Sequence, residues 1–268
     1  VEVVQSLAKW KRKALAELGV EAGAGIYTDM NAIRPDETLD NIHSLYVDQW
    51  DWERVITPAD RSIDYLTETV EAIYDVIVRT EKFVHHHFPA LEPVLPDNIV
   101  FMHAEELRET YPDLDPRERE EAACEEYGAV FIIGIGAPLS DGEPHDHRAA
   151  DYDDWSTITG DGRPGLNGDL FVYNPVLECA FELSSMGIRV DAAGLRRQLE
   201  ALQETDKASL PFHRQLLAGE LPDSIGGGIG QSRLCMFYLK KAHIGEIQSG
   251  LWPDEMVVEC RDAGIALL

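Results

Sequence analysis

Tyr46-Val47-Asp48-Gln49-Trp50-Asp51-Trp52-Glu53 is the stretch on which the reading of this chain turns. It belongs to a longer run, Ile42 to Arg54, expected to form one strand. Alternate residues of a strand share a face. That pattern sets His43, Gln49, Asp51 and Glu53 beside Leu45 and Val47, and Ser44, Asp48, Trp50 and Trp52 on the other side. A strand this polar is expensive to fold among buried neighbours unless it lines a site. The alternative is an exposed edge strand, and the two tryptophans weigh against it. Just upstream stands Arg34-x-x-Glu37, whose arginine can fork onto a phosphate or a carboxylate.

Working outward, Ile26 to Ile33 reads as a strand, and the polar turn Thr38–Asn41 predicts an antiparallel pair with the run that follows. Leu7 to Leu18 predicts a helix. Thr57-Pro58-Ala59-Asp60 carries N-cap chemistry ahead of a helix with apolar residues at Ile63, Leu66, Val70, Ile73 and Ile77, ending near Pro89. Ile99–Met102 and Ala129–Ile135 read as buried strands. Asp115-Pro116-Arg117-Glu118 opens a helix that stops at Gly128. Leu170–Tyr173 and Ala180–Val190 predict another antiparallel pair, and Asp191 caps a helix bearing Leu195, Leu199 and Leu202. With no regular alternation of strand and helix, the expectation is one α+β domain over residues 1–268 with a mainly antiparallel sheet. Val1-Glu2-Val3-Val4 reads as a strand already in progress, so a natural N-terminus is expected to be missing.

Composition narrows the function. The 268 residues hold 49 acidic and 23 basic side chains, a net charge of −26 that repels nucleic-acid phosphates and acidic membranes alike. No apolar run is long enough for a transmembrane helix. Cys124, Cys179, Cys235 and Cys260 are widely spaced, which fits neither a zinc ribbon nor a disulfide framework. A cytoplasmic protein is expected, with small-molecule partners.

Gly226-Gly227-Gly228-Ile229-Gly230 precedes a helix expected over Gln231–Lys241. It lacks the lysine of a Walker A loop and the glycine spacing of a dinucleotide fingerprint. What remains is Gly228-x-Gly230-x-x-Arg233, where backbone can approach an anion and Arg233 can stack on a purine. A glycine-rich turn with a surface arginine is the plain alternative. In Ala180–Arg189, Glu182 and Ser184 are expected on one strand face, with a bulge at Gly187 before Arg189. There the carboxylate can bind Mg²⁺ and the arginine can neutralise phosphate. Asp151, Asp153, Asp154 and Asp169 add carboxylates that would otherwise be solvated surface. His85-His86-His87 cannot converge on one metal from a helix, and His145-x-His147 lacks a third ligand; both are read as non-metal.

Together these pieces resemble the catalytic core of class II aminoacyl-tRNA synthetases. Arg34-x-x-Glu37 with its polar strand is similar to the second class signature, and Gly228-x-Gly230-x-x-Arg233 to the third. Ser6 to Arg12, Tyr46 to Glu53, Asp151 to Thr157, Phe181 to Val190 and Gly226 to Arg233 resemble the asparagine synthetase A family, the ammonia-dependent aspartate–ammonia ligases, nearly from end to end.

The resemblance implies a synthetase-like antiparallel sheet flanked by helices, without tRNA-binding domains, usually as a homodimer. It implies adenylation of aspartate's side-chain carboxylate by Mg-ATP, release of pyrophosphate, and displacement of AMP by ammonia to give asparagine. By the same match Arg34 and Gln49 are the catalytic candidates. Ser6, Lys11, Asp51, Arg148, Asp153, Ser184 and Ser185 are the substrate-binding ones, with Asp153 for the ammonium and Arg148 or Lys11 for a carboxylate. Ser44, Asp169, Glu182, Arg189, Gly228, Gly230 and Arg233 are assigned to ATP, and Asp169 and Glu182 to Mg²⁺. Family members carry further residues ahead of the segment matching Val1, including an Asp of the substrate site. Competing readings are aminoacylation of tRNA and a non-catalytic paralogue that binds asparagine or AMP.

Overall fold

The computed structural model describes residues 6–268; the strand expected at Val1–Val4 lies outside them. Helix α1 (Ala8–Glu17) leads into the hairpin β1 (Gly25–Ile33) and β2 (Tyr46–Val55). Helix α2 (Ile63–His87), β3 (Val100–His103), α3 (Ala104–Thr110), α4 (Pro116–Tyr127) and β4 (Ala129–Ile133) follow. Then come the hairpin β5 (Asn167–Asn174) and β6 (Cys179–Ile188), α5 (Ala192–Ala201) and α6 (Pro211–Leu217). Strand β7 (Ser224–Gly230), α7 (Gln231–Tyr238) and α8 (Asp254–Asp262) complete the chain.

The seven strands form one sheet in the order β1-β2-β7-β6-β5-β4-β3, antiparallel throughout except for the β3–β4 pair. This is the expected α+β architecture. Three local expectations are corrected. Thr57–Asp60 is a separate capped turn, and α2 is capped by Ser62, whose hydroxyl accepts the Tyr65 N–H at 3.2 Å. The polar strand begins at Tyr46, which leaves His43 and Ser44 in the preceding loop. The glycine run is no turn: it is β7, zipped between β2 and β6 near the middle of the sheet.

Glycine is required there because neighbouring side chains cross over that strand. A Cβ at Gly226 would overlap the Glu53 carboxylate and lie 2.6 Å from Arg189 Nη2. Strand propensity ignores such a run, yet the side chains of the flanking strands supply the packing.

One face of the sheet buries the main core. Leu66, Val70, Tyr74, Ile77 and Val78 of α2 and Leu234, Met236 and Phe237 of α7 pack on Leu170, Val172, Phe181, Leu183, Met186 and Ile188. Burial of each such large apolar side chain stabilises by about 1.5–3 kcal/mol. On the other face, α3 and α4 cover the β3–β4–β5 end through Leu107, Ala123 and Cys124. The β2–β7–β6 part of that face is left for the site.

The phase of β6 changes along its length. Phe181 and Leu183 face the main core, and so do Met186 and Ile188, an offset of one residue. The register shift falls where Leu170 pairs with Ser184 and Phe171 with Glu182. The bulge therefore sits at Leu183 and not at Gly187, which instead touches Asn167. It puts Ser185, in place of Ser184, in phase with Glu182; the Ser184 hydroxyl turns to donate to the Gly228 carbonyl at 2.9 Å.

Candidate active site

The uncovered face carries a cavity of about 470 Å³. Its walls bring together Arg34 and Glu37 from the end of β1, Gln49 and Asp51 from β2, and Glu182 and Ser185 from β6. Arg189, Asp153, Gly228 and Arg233 complete them. Ser6, Ser44, Ser184 and Gly230 line it as well. Most sequence-predicted site residues thus meet in one place, from segments as far apart in the chain as Ser6 and Arg233.

Beneath the floor lies a charged layer. Arg189 donates to both oxygens of Glu53 at 2.9–3.1 Å and also pairs with Asp153. Ser224 Oγ donates to Glu53 at 2.7 Å. Burial alone would raise the Glu53 carboxyl, but Arg189 and Lys11 outweigh it and hold it below the ordinary range. Asp153 goes the other way, because its burial outweighs Arg189 and pushes its carboxyl up. The pair thus fixes one guanidinium on the cavity wall with a carboxylate behind it and another beside it.

Two of the expected substrate-binding residues lie apart from the lining of this cavity. Lys11 is fully buried, and its ammonium bonds to Asp51, to the Trp52 carbonyl at 3.1 Å and to the Gly227 carbonyl at 3.2 Å. With three donors used, it positions Asp51 and the glycine strand and does not open onto the cavity. Burial, with Arg189 adding to it, lowers its pKa. Arg148 lies in a second cavity of about 490 Å³, paired with Asp146 and Asp169. Asp169 lies there too. Arg189, expected to serve ATP, is the cation beside Asp153.

The two cavities join along Ile42, His43, Glu182, Ser185 and Arg233. Arg233 Nη1 stands 3.4 Å from the Glu182 carboxylate at that rim. Asp169 Oδ1 is buried without a hydrogen-bond partner, and burial, with Glu182 adding to it, pushes this carboxyl up to about 7.

The histidine groups sit elsewhere or in other roles. His85 Nδ1 lies 3.1 Å from the Leu91 carbonyl, and His145 pairs with Glu120 at 2.9 Å.

Several lining residues were not singled out as site residues in the sequence. Gln248 donates to the Ser44 hydroxyl and, at 3.2 Å, to the Tyr46 carbonyl. Asp48 accepts from the Ser232 hydroxyl at 2.7 Å, which ties β2 to the start of α7. Tyr152 lines the cavity beneath the Arg189 guanidinium, 5.7 Å from its ring centre.

The sheet order is that of a class II aminoacyl-tRNA synthetase-like fold. The asparaginyl-tRNA synthetase of Pyrococcus horikoshii, solved with asparaginyl-adenylate, superposes with a TM-score of 0.66 at 16% identity over 93% of this chain and 57% of that one. The aspartyl-tRNA synthetase of Entamoeba histolytica gives 0.67 at 16% identity over 91% of this chain and 50% of that one. This chain therefore spans about half the length of those synthetases, and at such identity the likeness is one of fold.

The family model for aspartate-ammonia ligase matches residues 1–264, and the chain belongs to that family. It is 61% identical to the aspartate–ammonia ligase of Parabacteroides distasonis and 53% identical to that of Clostridium perfringens, covering all of this chain and 77% of each relative.

Proposed function

We propose that this protein makes asparagine from aspartate and ammonia, activating the side-chain carboxylate with ATP as a β-aspartyl-adenylate and releasing pyrophosphate and AMP. The observation that carries the reading is the convergence of Arg34, Gln49, Asp153, Glu182, Arg189 and Arg233 on one cavity. Aspartate needs a site with both signs of charge. Asp153 and Asp51 face its ammonium, and Arg189, held rigid by Glu53, faces a carboxylate. A carboxylate is a poor electrophile until its oxygen becomes a leaving group, which is what adenylation achieves. Charge then develops on the α-phosphate and on the departing pyrophosphate. Arg34 meets the first and Arg233 the second, as preorganised cations in a partly desolvated cleft. Gln49 donates a hydrogen bond to a developing oxyanion without adding charge.

Asp169 and Glu182 would hold Mg²⁺, which when bound neutralises the polyphosphate. The fit rests on the unpartnered, buried Asp169 Oδ1 beside Glu182. Among the described residues no three His, Cys, Asp or Glu side chains form a metal cluster. Two carboxylates suffice for an ion that keeps waters and phosphate oxygens.

A homodimer is proposed as well. The exposed Tyr27, Ile33 and Trp50 along the β1–β2 edge support it, and sedimentation at equilibrium checks it. Among the described residues no helix is long and apolar enough to cross a membrane. The likeness to a biosynthetic ligase supports a cytoplasmic reaction.

The test is product analysis with aspartate, ATP and ammonium. AMP and pyrophosphate in equal amounts are expected. ADP with phosphate would overturn the reading, and nucleotide binding without pyrophosphate release would mark a non-catalytic paralogue.

A further inference from the structure

Arg34 and Arg233 bracket the triphosphate on the reading above, yet each has only long side-chain contacts of its own. Arg34 lies 4.0 Å from Glu37, and Arg233 reaches Glu182 at 3.3–3.4 Å. Their placement is inherited from the backbone beneath them. Arg34 follows β1, and its N–H donates to the Leu45 carbonyl at 2.8 Å. Arg233 stands in the first turn of α7, directly after Ser232.

One buried side chain reaches both supports. Gln248 is 7% exposed and lines the main cavity. Its Nε2 donates to the Ser44 hydroxyl at 2.5 Å and to the Tyr46 carbonyl at 3.2 Å, one residue to either side of Leu45. The Tyr46 carbonyl can only accept, which fixes the amide nitrogen on that side. Gln248 Oε1 lies 3.1 Å from the Ser232 hydroxyl. That hydroxyl shares one proton between Gln248 and the Asp48 carboxylate at 2.7 Å, while the Ser232 N–H donates to Asp48 at 3.2 Å. Amide, hydroxyl and carboxylate thus form one network across the start of β2 and the start of α7.

The segment that carries Gln248 is itself docked on the same loop. The Gln248 N–H donates to the Ile244 carbonyl at 3.1 Å, and the Ile244 N–H donates to the Asn41 carbonyl at 2.8 Å. Asn41 Nδ2 donates to the Ala242 carbonyl at 3.2 Å. Residues 242–248 therefore run along the loop that returns from Arg34 to β2 and are bonded to it at both ends.

We propose that Gln248 is a positioning residue for the adenylation step: it sets the separation of Arg34 and Arg233 across the triphosphate, acting through the neighbours of Leu45 and through Ser232. This role rests on the function proposed above. Charge on the α-phosphate and charge on the departing pyrophosphate develop in one transition state, so the two cations serve it only at a fixed spacing. The aspartate end of the cavity does not share this support, because Arg189 and Asp153 are held by each other and by Glu53.

The test separates the two ends of the site. Gln248→Met keeps length and volume and removes the hydrogen bonds. In aspartate-dependent ATP–pyrophosphate exchange by the intact protein, its kcat/KM for ATP is expected to fall by roughly tenfold to a hundredfold, the upper end being the cost of displacing groups by about 1 Å. The half-saturating aspartate concentration stays in place. Gln248→Asn keeps the amide but not its reach, so it carries the same test should the apolar side chain prevent folding. A second readout is the Arg34→Ala, Gln248→Met double variant. If Gln248 works partly through Arg34, the double loss is smaller than the product of the single losses. An unchanged kcat/KM for ATP overturns the proposal. So does a rise in half-saturating aspartate in step with the ATP effect, or a double loss equal to the full product, since either assigns Gln248 a general structural role. Absence of exchange in the parent enzyme would instead overturn the adenylation reading itself.

Discussion

The Arg189 guanidinium grips the Glu53 carboxylate at 2.9–3.1 Å in the space left by the missing side chain of Gly226. Both ends of the pair are under 4% exposed. A glycine in the middle of a sheet normally costs stability; here it makes room for the ion pair that fixes the floor of the site.

That relationship predicts the outcome of adding one carbon. Gly226→Ala must push the pair apart, leaving Arg189 with Asp153 alone and Glu53 with Ser224 and the more distant Lys11. Separating a buried pair costs about 3–5 kcal/mol, so urea unfolding should show a loss of that size. A change of less than about 1 kcal/mol in either direction, the size seen where alanine replaces glycine without strain, would mean that the strand simply shifts.

Arg34 is the contrasting case. Its side chain is 43% exposed and lies 4.0 Å from Glu37, so the fold does not depend on it. Arg34→Ala should leave the melting temperature in place and lower kcat by about a hundredfold or more, as removal of a transition-state donor does. A loss confined to KM would move Arg34 from the chemistry to ground-state binding.

How much of this was legible in the sequence follows from what a side chain reveals about its neighbours. The polar strand was legible because Gln49, Asp51 and Glu53 alternate with two tryptophans, an unusual mixture for an exposed edge. Helix α4 was legible from Asp115 and Glu118, whose reciprocal bonds are both present. Strand β7 was not, because glycine carries no hydropathy and its partners are set by Glu53, Arg189 and Gln49 on other strands. The bulge at Leu183 was hidden for a related reason: it is a mismatch of two strands, and one strand alone does not contain it. The burial of Lys11 was not legible, because the three acceptors that enclose it come from β2 and β7. Gln248 stands in an ordinary polar loop and gains its place through Ser44, Tyr46 and Ser232.

Glu182 sits at the rim with Arg233 at 3.4 Å and, on the reading above, shares Mg²⁺ with Asp169. Chelation with EDTA should stop ATP–pyrophosphate exchange, and restored Mg²⁺ should recover it. Glu182→Gln keeps the shape, removes one charge, and should shift the half-saturating Mg²⁺ concentration upward. An unchanged Mg²⁺ dependence would remove Glu182 from the metal and leave it as the partner of Arg233.

Acid should weaken the fold through histidines that cap local turns. His103 is buried; its Nδ1 accepts the Glu105 N–H at 3.0 Å, capping α3, and its Nε2 lies 2.8 Å from the Pro164 carbonyl. His243 accepts the Gly245 N–H in the same manner, at 3.0 Å. Burial lowers the pKa of both below the ordinary value. The unfolded chain therefore binds these protons more readily than the folded one. Their contribution is fully present above the unfolded-state value, about 6.5, and is lost as pH falls through the lower folded-state values. Stability should thus decline from near pH 6.5 downward, by up to about 1.4 kcal/mol per pH unit for each histidine. His103→Asn retains a capping oxygen and removes one titrating group. Urea unfolding of this variant across that window should show a shallower pH slope than the parent, and a parallel slope would place the acid sensitivity in other groups.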